Sequence, residues 1–492
     1  MDVIANRPLF ISITGSLVSQ GYDHQRRDAI NGMKKPYIDS SIFKAYDIRG
    51  VVDKSLTTDA AYLIGRALGS EGESIGEKHF FVARDGRLSG SKLVEALIRG
   101  LLESGRDVTD LGMVPTPVLY FAATTLGSGS GIMVTGSHNP PEYNGMKIML
   151  GGTTLSGPDI QSLRRRIETS DLTEGRGQKE SRDVLPNYIE RIAGDIKLER
   201  PMKVIVDCGN GVPGVVAAPL LRALGCEISE LFCEVDGNFP NHHPDPSQPE
   251  NLEDLKNALT DQHADIGLAF DGDGDRLGVV TPAGKVIWPD RQMMLYARDV
   301  LSRNPGAQII YDIKCTSDLA TIIEQAGGKP LMWKTGHSFI KAKLKETGGL
   351  LAGEMSGHIF FKERWYGFDD ALYTAARLLE ILSRDHRPVD DIFDELPDSV
   401  NTPELKLHTR EGENHPLMEK LLAAASFPGA TITTIDGLRV DYPDGFGLVR
   451  ASNTTPCLVL RFEAKNKAAL QRIQDDFRKL ISSQSVGAEL PF

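Results

Sequence analysis

At 492 residues, with 40% hydrophobic and 25% charged side chains, the chain has the make-up of an ordinary globular protein of about three or four domains. A formal net charge of −12 argues against nucleic acid as a partner, because a phosphate backbone needs a basic footprint. No apolar run approaches the roughly 18 residues of a membrane span. The five cysteines have neither CxxC nor zinc spacing, which fits a reducing cytoplasm better than a disulfide framework.

Residues 1–36 are expected to be a poorly ordered extension. Pro8–Val18 is apolar but diluted by Gly, Ser and Thr, no signal-peptide cleavage site follows, and Met33-Lys34-Lys35 offers a second start. From there strand and helix patterns alternate, which predicts α/β layers. A first unit, 37–182, has a strand at 79–83, a helix at 91–102 and a strand at 131–134. A second, 183–287, starts on Lys203-Val-Ile-Val-Asp207, continues through a helix near 214–224 and a strand near 227–232, and closes with strands around 277–287. A third, 288–397, alternates helices at 291–303, 317–326 and 338–347 with strands at 308–313 and 330–334. The last, 398–492, changes to short strands (431–435, 438–442, 446–450, 457–463) and one helix at 466–482, a small α+β domain. In each unit a polar, glycine-bearing loop follows a strand.

The first such loop, Thr135-Gly-Ser-His-Asn-Pro-Pro141, presents Ser137 at a strand end as a candidate nucleophile. It lacks the G-x-S-x-G spacing of a nucleophile elbow. His138, as the adjacent residue, is expected to point away from Ser137. Lys147 can return to the same face and neutralise phosphate charge, or can be a solvated strand lysine. Gly209–Gly214 matches G-x-G-x-x-G after a strand, which keeps a dinucleotide-binding reading open, although Pro213 removes an amide and stiffens the turn. No P-loop is present to hold ATP.

The densest signal is Phe270-Asp-Gly-Asp-Gly-Asp-Arg276. Asp271, Asp273 and Asp275 place three carboxylates within five residues, and such charges repel unless a cation sits among them. Hard oxygen donors favour Mg²⁺. An EF-hand is excluded because Arg276 and Pro282 stand where its glycine and glutamate belong, and a solvated acidic turn is the other reading of the stretch. Downstream, Gly353–His358 offers Glu354, Ser356 and His358, a carboxylate, hydroxyl and imidazole suited to sugar hydroxyls; His358 can equally be structural. Arg450-Ala-Ser-Asn-Thr-Thr-Pro456 joins a guanidinium to the donors of Ser452, Asn453, Thr454 and Thr455, a phosphate clamp or an ordinary hairpin turn.

Together, these loops resemble the α-D-phosphohexomutase superfamily, and within it the bacterial bifunctional phosphomannomutase/phosphoglucomutases. The resemblance spans about 37–492 and includes Ser41–Gly50, Val114–Pro117 and Gly336-His337-Ser338 besides the four loops. It implies three similar mixed-sheet α/β domains and a C-terminal α+β domain around a central cleft. It implies that Ser137 is carried as phosphoserine, with Mg²⁺ held by Ser137, Asp271, Asp273 and Asp275. Net transfer of phosphate between C1 and C6 of mannose or glucose would pass through a hexose 1,6-bisphosphate, which also serves as activator. Tyr46, Arg49, Lys314 and His337 match positions lining the cleft, and Arg276 gains a place beside the metal. Glu354, Ser356 and His358 would hold the sugar, and Arg450 with Ser452–Thr455 its phosphate. The acid/base group stays open among Lys147, His358 and Arg49. A cytoplasmic monomer acting on small sugar phosphates is implied, supplying nucleotide sugars. The alternatives are a phosphoglucosamine mutase, against which Met355 speaks because that branch usually carries Gln there, and a Mg²⁺-dependent sugar-phosphate phosphatase.

Overall fold

The computed structural model describes residues 37–453, 455–485 and 489–492. The expected extension at 1–36 and the candidate Thr454 lie outside the described residues. Four sheets follow one another along the chain. The first contains β1 (Ile48–Val51), β2 (His79–Arg84), β3 (Asp107–Met113), β4 (Gly131–Val134), β5 (Tyr143–Leu150), β6 (Thr153–Thr154) and β7 (Lys179–Ser181), in the order β1-β5-β4-β2-β3-β7 with β6 on β5. The second contains β8 (Lys203–Asp207), β9 (Glu227–Leu231), β10 (Ile266–Phe270), β11 (Leu277–Val280) and β12 (Val286–Ile287), ordered β12-β11-β10-β8-β9. The third contains β13 (Gln308–Asp312), β14 (Lys329–Trp333), β15 (Leu351–Gly353) and β16 (Ile359–Phe361), ordered β14-β13-β15-β16.

The first three sheets share one wiring. Three parallel strands are extended on one side by an antiparallel fourth: β3-β2-β4-β5, β9-β8-β10-β11 and β14-β13-β15-β16. The interior strand β10 is buried at every residue, as expected where helices cover both faces of a parallel sheet. In each sheet the link from the last parallel strand to its antiparallel neighbour is a tight loop. Those three loops are 135–142, 271–276 and 354–358, the three polar loops singled out from sequence.

The fourth sheet is wholly antiparallel: β17 (Val400–Asn401), β18 (Leu405–His408), β19 (Thr431–Thr433), β20 (Leu438–Tyr442), β21 (Gly445–Ala451) and β22 (Cys457–Ala464). The β21–β22 hairpin carries the 452–456 loop. The mixed-sheet α/β and α+β expectation therefore holds. Two elements differ in detail. Pro213 turns the start of the expected helix near 214–224 into a 3₁₀ turn, Val212–Val215, and the α-helix begins only at Ala217. The strand expected at 431–435 ends at Thr433.

One apolar cluster runs through the first three units, joining Met133, Phe270, Tyr311 and Phe361, so their sheets are held in a fixed relation. The last unit has its own core around Phe462 and Phe477. It docks on the third through Arg439, a fully buried guanidinium that donates to the carbonyls of Ile313 (2.6 Å) and Cys315 (2.9 Å) and stacks on Phe446. Phe477 packs edge-on to Phe462 and fills the space left by Gly447, where an added Cβ would lie 2.3 Å from its ring. Phe477→Ala should destabilise this unit by about 3–5 kcal/mol, measurable by denaturant titration followed by far-UV circular dichroism.

Candidate active site

The four loops meet at one place. Ser137 is almost fully buried and has φ +50°, a left-handed conformation that lifts its side chain out of the strand's alternation. Its Oγ donates to Asp271 Oδ2 at 2.9 Å. The same turn brings the imidazole back, with His138 Nδ1 at 3.3 Å from Ser137 Oγ. The expectation that His138 points away assumed extended backbone and is corrected by this turn. Burial, then the charges of Arg276, Arg49 and Lys147, hold His138 well below the ordinary histidine range, so it is neutral.

Asp271, Asp273 and Asp275 are all fully buried. Each spends one oxygen on the protein. Asp271 Oδ1 accepts from the backbone N–H groups of Gly274, Asp275 and Arg276 at 3.0–3.2 Å. Asp273 Oδ2 accepts from Thr116 Oγ1 and Lys147 Nζ, both at 2.6 Å, and Asp275 Oδ2 also accepts from Lys147. That leaves Asp271 Oδ2 facing the serine, while the Oδ1 atoms of Asp273 and Asp275 are buried without a hydrogen-bond partner. Ligand oxygens of the three lie within 4.8 Å of one another. Unpartnered buried carboxylate oxygens are costly, and a hard divalent cation is what three converging oxygens fit. Burial, then Asp275 and Asp273, push the Asp271 carboxyl well above its usual range. Burial also raises Asp275, but Lys147, His358 and Arg276 outweigh it and hold that carboxyl well below.

Lys147 lies on β5 opposite Met133 of β4, is almost fully buried, and is not a solvated strand lysine. Burial lowers its pKa, yet the three aspartates raise it further, so it is a permanent cation. Arg276 reaches His358, Nε to Nε2 at 3.4 Å, and approaches Asp271 at 4.0 Å. His358 stands between two carboxylates, with Nε2 at 3.4 Å from Asp275 Oδ1 and Nδ1 at 3.3 Å from Glu354 Oε2. Against burial, Asp275 and Glu354 bring it up to about 9, so the ring is an imidazolium. Ser356 Oγ meets the same Nδ1 at 2.9 Å. Glu354 Oε1 accepts from Gly336 N at 2.6 Å. Arg49 donates to Asp47 at 2.6 Å and to Asn139 Oδ1, bracing the serine loop.

A second group closes the mouth of the cleft. Asn453 donates to Tyr46 Oη, which donates to the carbonyl of Thr335 at 3.2 Å, joining the fourth, first and third units. Arg450 is held by Asp436 at 3.0 Å, and Asp436 accepts from Thr335 N at 3.0 Å. Ser452 Oγ and Thr455 Oγ1 lie 3.0 Å apart in the hairpin turn. His337 is buried, neutral and tilted against His358 with ring centroids 5.6 Å apart; burial, then Lys341 and His358, lowers it well below its usual range. Lys314 stands apart from the serine and the aspartates, paired with Glu404 at 2.5 Å.

The family descriptions Phosphoglucomutase/phosphomannomutase alpha/beta/alpha domain I, domain II, domain III and C-terminal domain match residues 40–174, 186–284, 288–400 and 404–480. The chain belongs to the phosphoglucomutase/phosphomannomutase family. It is 58% identical over 459 residues to a phosphomannomutase/phosphoglucomutase of Pseudomonas aeruginosa, covering 93% of this chain and 99% of the relative. It is 58% identical over 450 residues to a phosphoglucomutase of Neisseria gonorrhoeae, covering 91% and 98%. The solved structure of a phosphoglucomutase/phosphomannomutase family protein from Burkholderia thailandensis superposes with a TM-score of 0.89 at 60% identity, covering 93% of this chain and all of that one. The protein is accordingly an isomerase of phosphohexomutase fold. Among the described residues no helix is long and apolar enough to cross a membrane.

Within this phosphohexomutase, the G-x-G-x-x-G turn is packing, not a cofactor cradle. A Cβ on Gly211 would lie 2.9 Å from Gly272 Cα, one on Gly214 would lie 1.9 Å from Cys233 O, and Val212 N donates to Gly272 O at 3.1 Å. The turn buttresses the aspartate loop. Sequence reasoning passed over Asp85 and Arg87. Arg87 is fully buried and donates to the carbonyls of Ser137 (2.7 Å), Asn139 (2.5 Å), Pro140 (2.6 Å) and Tyr143 (3.0 Å). Asp85 pairs with it at 3.2 Å and accepts from Thr135 Oγ1 (2.8 Å) and Gly136 N (3.1 Å). One signal was available: an aspartate at or just past the end of the central parallel strand recurs as Asp85, Asp207 and Asp312. Because Arg87 fixes four carbonyls of the nucleophile loop, Arg87→Met should lower kcat by about 100-fold, the scale of a roughly 1 Å misplacement, with KM nearly unchanged. Steady-state kinetics test this, and Asp85→Asn/Arg87→Met should show the same loss without leaving a buried charge unpaired.

Proposed function

We propose that the protein interconverts hexose 1-phosphate and hexose 6-phosphate, of mannose and of glucose, through a phosphoserine at Ser137 and a hexose 1,6-bisphosphate. The observation that carries this is the junction at Ser137 Oγ, 2.9 Å from Asp271 Oδ2 beside the Oδ1 atoms of Asp273 and Asp275, which accept no hydrogen bond. The names of the Pseudomonas and Neisseria relatives supply the two sugars. Mg²⁺ held by Asp271, Asp273 and Asp275 with an oxygen of the phosphorylated Ser137 would supply charge neutralisation for phosphoryl transfer.

The chain's own residues do the rest. Arg450, Ser452, Asn453 and Thr455, with Thr454 of the same loop, clamp the phosphate already on the sugar, and Tyr46, Lys314 and His337 line the path to it. Glu354 and Ser356 take sugar hydroxyls. The free hydroxyl attacks phosphorus, the P–Oγ bond of Ser137 breaks, and the proton lost by the hydroxyl is balanced by one delivered to the departing Oγ. The bisphosphate then turns over and returns its other phosphoryl group to Ser137 Oγ. Contacts that recognise phosphate and hydroxyls without a fixed end suit such a reversal. Lys147 is locked on two aspartates and serves as fixed charge, as does Arg276. Arg49 braces the serine loop. His358, an imidazolium between Glu354 and Asp275, can take up the hydroxyl's proton only as it gives up its own, so it serves as a relay. Free hexose 1,6-bisphosphate acts as activator by rephosphorylating a serine that has lost its group. The unpaired cysteines support a reducing, cytoplasmic setting.

Incubation with mannose 1-phosphate or glucose 1-phosphate, Mg²⁺ and catalytic hexose 1,6-bisphosphate should yield the 6-phosphates by ³¹P NMR. Free phosphate instead would mark a phosphatase, and no 6-phosphate from either sugar would end the proposal. Ser137→Ala should abolish turnover and remove a protein-bound phosphate of about 80 Da from the intact mass. Chelation with EDTA should stop turnover, and added Mg²⁺ should restore it; activity that persists in EDTA would refute the metal's part.

A further inference from the structure

Two of the five cysteines meet in space although they lie 25 positions apart. Cys208 follows β8 and Cys233 lies two residues beyond β9, parallel neighbours with Asp207 opposite Leu231. Phe232 has φ +50°, which turns the chain so that Cys233 faces back across the strand ends. The two sulfurs are 3.3 Å apart, with the Cys233 thiol donating to Cys208. Cys208 is fully buried, whereas Cys233 is only partly buried. Neither takes part in the phosphoryl transfer described above.

Their backbones grip the turn behind the aspartate loop. Cys208 O accepts from Gly211 N at 2.7 Å, and Gly214 packs so tightly on the Cys233 carbonyl that no side chain fits between them. The next amide, Val212 N, donates to the carbonyl of Gly272, the residue between Asp271 and Asp273. A disulfide needs sulfurs about 2.05 Å apart, so bonding the pair shortens their 3.3 Å separation by more than an ångström, a change that the two side chains and the strand ends carrying them must take up. The turn that positions Gly272 lies directly in that path.

We propose that Cys208 and Cys233 are a reversible two-electron thiol switch: a hydroperoxide oxidises them to a disulfide, and the disulfide weakens cation binding at Asp271, Asp273 and Asp275. The coupling half rests on those aspartates being the cation site; disulfide formation does not. In the first step the Cys233 sulfur attacks hydrogen peroxide, the O–O bond breaks, and Cys233 sulfenic acid and one water form. The Cys208 sulfur then displaces hydroxide from the sulfenic sulfur, its thiol proton completes a second water, and the S–S bond closes. Two thiols have lost two electrons and two protons, and the peroxide has become two waters. A dithiol reductant reverses the step. Redox-sensing pairs of this kind are the form disulfides usually take in a reducing compartment.

The test uses the full chain, reduced and then exposed to hydrogen peroxide. The intact mass should fall by about 2 Da, two of the five thiols should stop reacting with maleimide, and peptide mapping should find the Cys208–Cys233 link. Isothermal calorimetry with MgCl₂ should show binding weakened on the order of 10-fold, the scale of disturbing a metal site's supporting residues, and recovered with dithiothreitol. Cys233→Ser and Cys208→Ala, treated identically, should show neither change. An unchanged mass, or a link through Cys226, Cys315 or Cys457, overturns the switch. A Cys208–Cys233 disulfide with unaltered Mg²⁺ affinity overturns the coupling alone. Absence of Mg²⁺ binding to the reduced protein overturns the coupling together with the metal reading, while the mass still decides the disulfide.

Discussion

Three fully buried carboxylates in one pocket are the constraint around which this molecule is organised. Like charges about 4 Å apart cost roughly 4 kcal/mol each at the effective dielectric of a protein near its surface, and more when buried. The chain answers with three cations of its own, Lys147, Arg276 and the imidazolium of His358, each drawn from a different loop or strand. His358 is shared with Glu354, so the set offsets the three aspartates only in part, and the Oδ1 atoms of Asp273 and Asp275 accept no hydrogen bond. A divalent cation alone would leave the pocket positive. A phosphate on Ser137 carries about −1.5 to −2 charges, so cation and phosphoserine together add almost nothing to the balance. The proposed cation and phosphoserine therefore suit the pocket's charge as a pair.

That pairing explains why the chemistry is spread over separate units. Each of the first three sheets uses the same connection, from the last parallel strand to an antiparallel neighbour, to present its loop. The loops hold different residues: a hydroxyl in the first, carboxylates in the second, and a carboxylate, hydroxyl and imidazole in the third. Function here lies in what is grafted onto a repeated frame. The aspartate near each central strand end is the frame's common part. Asp85 orders the serine loop, and Asp312 accepts from Thr335 Oγ1 at 3.0 Å and Met355 N at 3.3 Å. Asp207 instead accepts from Gly209 N at 2.9 Å and His242 Nε2 at 3.1 Å. Since one apolar core fixes the three sheets, loops far apart in sequence meet with little freedom left to lose.

The legible part of this site is the part written locally. Asp271–Asp275 announces a cation by charge density alone, and Ser137 stands out because a short Gly/Pro-bounded loop leaves few other ways to read it. Arg87 was invisible because its four carbonyl partners lie 50 to 56 positions away and a buried arginine looks like any other in sequence. Asp436 and Glu404 were missed for the same reason: each matters only through Arg450 or Lys314. His138 was misjudged because the left-handed φ of Ser137 has no signature in a non-glycine residue. The G-x-G-x-x-G turn shows the converse error, a pattern whose glycines answer to close packing and not to a phosphate.

The cleft mouth adds a constraint of its own. Arg450 already has a carboxylate partner in Asp436, and Asp436 also holds Thr335 N, next to the Gly336 amide that orients Glu354. A sugar phosphate reaching Arg450 meets a neutralised guanidinium and must compete with Asp436 for it. A phosphate dianion carries more charge than the carboxylate and can accept the guanidinium fork bidentately, so the exchange is favourable, and it returns Asp436 wholly to Thr335. The Arg450 hairpin and the Glu354 loop are thereby joined by a short chain of hydrogen bonds. The Tyr46–Asn453 contact shuts the same mouth between the first and fourth units. The proposed bisphosphate, turning end over end, would need this mouth to loosen without letting go, and a clamp whose resting partner is a carboxylate would permit that. With Asp436 to receive it, Arg450 can release phosphate without being left as a bare buried charge.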